Sequence, residues 1–138
     1  MKIKNVYRIF NILFPLIIGL GVYLFINPDN YICSFFSRFV VLPKFGLSSP
    51  FIEFVNNWGC DFLWAYSFTS VIYELFCSFK FSWLITGLLS ISLGVFMELL
   101  QYFDVVGGTF DVWDIIIEII AVVISVLIIK FIFQEERL

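Results

Sequence analysis

The stretch FSWLITGLLSISLGVFMELLQYF, residues 81–103, holds one charged side chain, Glu98, in 23 residues. As a helix it is long enough to cross the roughly 30 Å hydrocarbon core of a bilayer. Its polarity is ordered rather than scattered. Gly87, Ser90, Gly94, Glu98 and Gln101 recur at steps of three and four, which puts the small and polar residues on one helical face and leaves Leu, Ile, Val and Phe around the rest. In lipid, such a face turns toward neighbouring helices. Residues 81–103 therefore read as one member of a helical bundle, not as an isolated anchor.

The rest of the chain fits that reading. Of 138 residues, 62% are hydrophobic and 14% charged, with a mean hydropathy of +1.03. A soluble domain carries about a quarter of its residues as charges. Three further apolar windows, residues 9–26, 62–79 and 112–133, complete an expected all-α membrane protein. The expected fold is one domain over residues 1–138, a bundle of four transmembrane helices. Lys2, Lys4 and Arg8 before the first window imitate a secretory signal. The apolar run is longer than a signal core, however, and NPDNY follows it instead of a small-x-small cleavage site, so a retained anchor is expected. Between the first two windows, YICSFFSRFVVL (residues 31–42) sets Ser34, Ser37, Arg38 and Val41 on one stripe against Tyr31, Ile32, Phe35, Phe36 and Phe39. This is read as an interfacial or re-entrant helix ended by Pro43. The second and third windows are joined by a tight hairpin around Lys80, the third and fourth by DVVGGTFD with its paired glycines.

In a four-span arrangement Lys2, Lys4, Arg8, Lys80, Lys130 and Arg137 fall on one side, and Arg38 and Lys44 on the other. The positive-inside rule then places both termini in the cytoplasm. The acidic residues divide the opposite way. Asp29, Glu53, Asp61, Glu98, Asp104, Asp111, Asp114 and Glu118 belong to the outer half, and Glu74, Glu135 and Glu136 to the inner. The formal net charge of −3 thus conceals a polarised molecule.

Three helical stripes converge on the outer end. The second window starts at Asp61 and carries Ser67, Ser70 and Glu74, the third ends in Glu98 and Gln101, and the fourth carries Asp111, Asp114, Glu118, Ala121 and Ser125. The candidate ligand-binding pocket is therefore Asp61, Glu98, Gln101, Asp111, Asp114 and Glu118. Asp111 and Asp114 also suit the first turn of a helix, as cap and dipole partner. Glu98 and Glu118 lie deeper, where an ionised carboxylate costs at least about 2.5 kcal/mol. Such groups need a shared proton, water, a bound cation or a cationic ligand group. Trp58, Trp64, Trp83 and Trp113 fall near membrane boundaries as belt residues, and Trp64 could instead wall the acidic site. Cys33, Cys60 and Cys77 are irregularly spaced and there is no His, so the usual Zn²⁺ ligand sets are missing. The cysteines read as packing residues, with a Cys33–Cys60 bridge conceivable on the outer side.

Three pieces in order, DFLWAYSFTS (residues 61–70), MELLQ (residues 97–101) and GTFDVWD (residues 108–114), make the chain similar to the VanZ-like family of small bacterial membrane proteins. The resemblance is strongest over residues 61–125. It implies a polytopic protein of the cell envelope, in a family named for a member that lowers susceptibility to teicoplanin. Position by position, the family's acidic residue at the second span matches Asp61, its Glu and Gln match Glu98 and Gln101, and its Asp opening the last span matches Asp114. The chain departs from the family at Phe62 and Trp64, where relatives carry a basic residue and a His. It also departs at Thr109 or Phe110, where they carry Arg, and at Glu118 and Ala121, where they carry Asn and Gly.

The functional expectation is a VanZ-like protein of the bacterial cell membrane whose outer acidic pocket binds a lipid headgroup, a cell-wall precursor or a cationic amphiphile. Two alternatives stand beside it. One is a membrane-embedded enzyme acting on a lipid-linked substrate, whose carboxylates would suit Mg²⁺ or Mn²⁺ better than Zn²⁺. The other is a non-catalytic interaction module. No activated nucleophile, phosphate-binding loop or basic nucleic-acid surface is present in the sequence.

Overall fold

The computed structural model describes residues 2–25, 49–107 and 110–134. The expected interfacial helix at residues 31–42, with Arg38 and Lys44, lies outside them. Among the described residues every element is helical. Helix α1 is Lys2–Phe25, α2 Pro50–Phe54, α3 Cys60–Phe76, α4 Ser82–Tyr102 and α5 Val112–Ile128. A π-helical turn, Val55–Gly59, joins α2 to α3, and a second, Ile129–Gln134, extends α5.

Helices Ser82–Tyr102 and Val112–Ile132 are long and apolar enough to cross a membrane, with mean hydropathies of 1.8 and 3.0. The corresponding apolar stretch of α1, Val6–Val22, is shorter. Helix α3 occupies the middle of the fold. It packs against α1, α4 and α5, and α4 and α5 also touch.

One local feature departs from the sequence reading. KFGLSSPF, residues 44–51, reads as a turn, yet the helical path into α3 already starts at Pro50. Ser49 sits in extended backbone and its Oγ accepts the Ile52 N–H at 3.3 Å, while Pro50 needs no donor at the first helical position. In the connection after α4 the sequence points to the paired glycines as the turn, and of these Gly108 lies outside the described residues. Ahead of them the chain takes left-handed backbone at Asp104, at φ 54°, a conformation that Asp tolerates better than most residues.

The interior is polar along much of its length. Among the described residues Ser67, Thr69, Ser70, Ser82, Thr86, Ser90, Glu98 and Ser125 are buried, as many as the buried hydrophobic residues there. Leu88, Phe96, Phe68, Leu75 and Phe131 are exposed. Small hydroxyl residues let the helices approach closely and supply hydrogen bonds across the seam. Asn11 of α1 donates to Ser70 Oγ at 2.9 Å and accepts from the Tyr66 hydroxyl at 2.6 Å. Ser70 and Ser125 meet at 3.1 Å, and the Ser125 hydroxyl also donates to the Tyr66 carbonyl at 3.2 Å. One network therefore ties α1, α3 and α5 together. Gly19 carries it toward the other end of α1, where the Cys60 thiol faces its carbonyl at 3.9 Å. Cys60 is a buried thiol with no disulfide among the described residues, and Cys33, its conceivable partner, lies outside them.

The charges separate along the bundle. Arg8 pairs with Glu74 at 3.4 Å, and Lys130 lies over the Trp83 ring at 4.5 Å. These contacts gather the start of α1, the end of α3, the start of α4 and the end of α5. The carboxylates described next occupy the opposite end.

Candidate functional site

Helix α5 opens the site. Asp111 is in extended backbone, and its Oδ1 accepts the Trp113 N–H at 2.9 Å, so this residue caps the helix as its position predicted. Asp114 follows in the first turn, where the helix dipole favours a negative charge. Glu118 lies one turn further in, and there its carboxylate meets α4 at Gly94. A Cβ added to Gly94 would overlap Glu118 Oε2 and stand 3.4 Å from Cδ. The glycine thus makes room for a carboxylate between two helices.

Glu98 stands one turn from Gly94 on the same face of α4. Its side chain is 5% exposed, and its Oε2 has no hydrogen-bond partner among the described residues. The Asp111 backbone N–H lies near the Glu98 carboxylate. Asp61, in the first turn of α3, completes the group. Its charge reaches Glu98, Asp114 and Glu118, and these three act on one another as well. Asp111 acts on Glu98 and Asp114 from the rim.

Five of the six candidate residues are therefore brought to one end. Gln101 shares their helix face but is half-exposed, and its side chain makes no hydrogen bond among the described residues. No three of the described His, Cys, Asp or Glu side chains converge closely enough to hold a metal ion.

Beside the acids lies a cavity of about 400 Å³, within the range of small-molecule sites. Trp64 and Phe68 of α3, Leu93 and Met97 of α4, and Ile115 and Ile119 of α5 form much of its wall. Glu118 lines it too, and so does Ser90, whose buried hydroxyl has no partner among the described residues. Trp64, Phe68, Leu93 and Met97 are each 42–47% exposed, so the cavity opens sideways through an apolar face. Trp64 takes the wall position that its sequence allowed as an alternative to a belt residue.

Neither the cavity nor the role of Asn11 was singled out from the sequence. Asn11 had a usable signal, as the one amide in the first apolar window. The cavity had none, because it arises from the spacing of three helices.

The chain matches no family model, no curated protein and no solved structure.

Proposed function

We propose that this chain is a multi-pass protein of the bacterial cell membrane, VanZ-like in kind, whose outer acidic end binds a polar or cationic group carried by an envelope molecule. In this reading α1, α3, α4 and α5 cross the bilayer and both termini face the cytoplasm. The ligand is a lipid headgroup, a cell-wall precursor or a cationic amphiphile, and lowered teicoplanin susceptibility is one outcome of binding it.

The membrane placement is supported by the distribution of side chains, with Ser and Thr buried between helices and Phe, Leu and Ile turned outward. The orientation is supported by the sequence, in which six of eight basic residues fall on one side of a four-span arrangement. The site rests on a single observation. Glu98 is buried with one carboxylate oxygen unpartnered among the described residues, amid Asp61, Asp114 and Glu118. A bundle stabilised for its own sake has no use for an unsatisfied acid in that position. Binding accounts for it, because a ligand can supply the missing donor or charge.

The test compares Glu98→Gln and Asp114→Asn with wild type in a host where the protein changes teicoplanin susceptibility. Both variants are expected to lose the phenotype while immunoblots of membrane fractions show near-normal levels. Loss of the protein in proportion to the phenotype would mean that the acids serve only to hold the helices together.

A further inference from the structure

The acidic end and the apolar cavity are parts of one feature. Gly94 is the joint between them, because Glu118 packs against it and also lines the cavity. One turn above Gly94 stands buried Glu98, whose Oε2 has no partner among the described residues. Below Glu118 the wall passes to Phe68, Ile119 and Val122, which offer no charge. A molecule occupying this space would meet the Glu118 carboxylate at one end, together with the buried Ser90 hydroxyl, which has no partner among the described residues, and hydrocarbon over the rest of its length.

The sign of the head group follows from what surrounds it. Asp61, Glu98, Asp114 and Glu118 lie close enough to repel one another. Among the described residues, the side chains of Arg8, Lys80 and Lys130 are engaged at the opposite end of the bundle. A cation would relieve that repulsion, and an anion would add to it. A bare metal ion suits the site poorly, since no three of the described ligating side chains converge on one point. An ammonium group fits better. It offers three donors without demanding a fixed coordination shell, and the Trp64 ring on the cavity wall can face it.

We propose that the groove between α3, α4 and α5 binds a single-chain alkylammonium amphiphile, its ammonium at Glu118 beneath Glu98 and its hydrocarbon chain along Phe68, Leu93 and Ile119. The proposal rests on the acidic site proposed above and adds to it the charge of the ligand and the need for a chain. Entry is lateral, between the exposed side chains of Trp64, Phe68, Leu93 and Met97, so the ligand arrives from the bilayer and not from water. A membrane-partitioned amphiphile reaches that opening already concentrated and aligned, head outward.

The experiment uses the full chain in phosphatidylcholine nanodiscs, with Trp58, Trp83 and Trp113 changed to Phe so that Trp64 alone reports. The probe is a twelve-carbon primary amine brominated on its chain, and quenching of Trp64 is followed on titration. Saturable quenching is expected, at least tenfold tighter than with the brominated alcohol of equal length, since truncating one partner of a close charge pair commonly costs tenfold or more. Glu118→Gln should weaken amine binding at least tenfold and leave the alcohol unchanged. Leu93→Phe, which narrows the groove at an exposed position, should weaken both. Native mass spectrometry of the unmodified chain with the same two probes gives the same comparison if the Trp replacements disturb folding.

Equal binding of amine and alcohol, or an unchanged amine affinity in Glu118→Gln, would overturn the assignment of charge. Displacement of the probe by ethylammonium at matching concentration would overturn the chain requirement while leaving the acidic site in place. Absence of saturable binding by either probe would overturn the proposal, and the Glu98→Gln phenotype would still decide separately whether the acidic end has a ligand of another kind.

Discussion

Replacing Gly94 by Ala separates the stability of the bundle from the geometry of its acids. Among the described residues, and leaving aside its own helix, the added methyl would meet Glu118 alone within 4 Å, overlapping Oε2 and standing 3.4 Å from Cδ. Oε2 must then retreat on the order of 1 Å to reach an ordinary contact distance. A flexible carboxylate can make that move by leaving its preferred rotamer, which costs about 0.5–1.5 kcal/mol. Ala is favoured over Gly inside a helix by about 1 kcal/mol, an effect of opposite sign. The two nearly cancel, so folding stability should change by less than about 1 kcal/mol. Function should change far more, because Glu118 would no longer lie between the helices where Glu98 and the cavity meet. Denaturant unfolding in detergent micelles measures the first quantity, and the envelope phenotype together with alkylamine binding measures the second. A loss of stability above about 2 kcal/mol would show that Gly94 carries a backbone contact instead of a seat for the carboxylate. Unchanged binding with unchanged stability would show that the position of Glu118 is irrelevant to the ligand.

Three further outcomes are expected. Asp111→Asn should be nearly silent in unfolding experiments and Asp111→Ala should cost about 1 kcal/mol, because Asn preserves the side-chain acceptor that holds the Trp113 N–H. Asn11→Leu removes the bonds to Ser70 and Tyr66 and should lower stability by about 1–3 kcal/mol, from roughly 0.6 to 1.7 kcal/mol per bond between membrane helices. A maleimide reagent applied to intact cells should label cysteines introduced at Ser49 and Gly107 but not one at Ser78; external labelling at Ser78 would reverse the proposed orientation.

The helical elements were legible because their signals are collective. No single residue in 81–103 specifies a helix, but the length of the run and the repeated steps between Gly87, Ser90, Gly94 and Glu98 do, and the helix observed is Ser82–Tyr102. Charge separation was legible for the same reason. The start of α2 was not, since Pro50 punctuates a turn as readily as it opens a helix, and only the Ser49 hydrogen bond distinguishes them. The turn at Asp104 was hidden by the glycines that follow it. For the site, helical periodicity placed Glu98 and Glu118 on inward faces. It could not disclose that Gly94 lies opposite Glu118, because the relative height of two helices depends on packing over their whole length. The bonds of Asn11 tie α1 to α3 and the pair Ser70 and Ser125 ties α5 to α3, but none of them reaches α4.

The hydrogen-bond network and the acidic cluster lie at different levels of the bundle, and this has an energetic consequence. Ser125 is joined to Ser70 and to the Tyr66 carbonyl, whereas Glu118, two turns earlier on α5, belongs to the acidic end. Seven residues of helix separate them by roughly 10 Å along the axis. Interactions that far apart with no shared partner add within about 0.5 kcal/mol. Ser125→Ala should therefore destabilise the chain by about 1 kcal/mol through its lost hydrogen bonds. Glu118→Gln should leave stability unchanged or raise it, because one of several repelling charges is gone. The double variant should show the sum of the two. A coupling above about 1 kcal/mol in the unfolding cycle would mean that the acids help to hold the helices in register, and the unpartnered oxygen of Glu98 would then belong to the scaffold and not to a ligand. Additivity, with the envelope phenotype lost only when Glu118 is changed, is the result expected of a bundle whose lower half provides stability and whose upper half is free to bind.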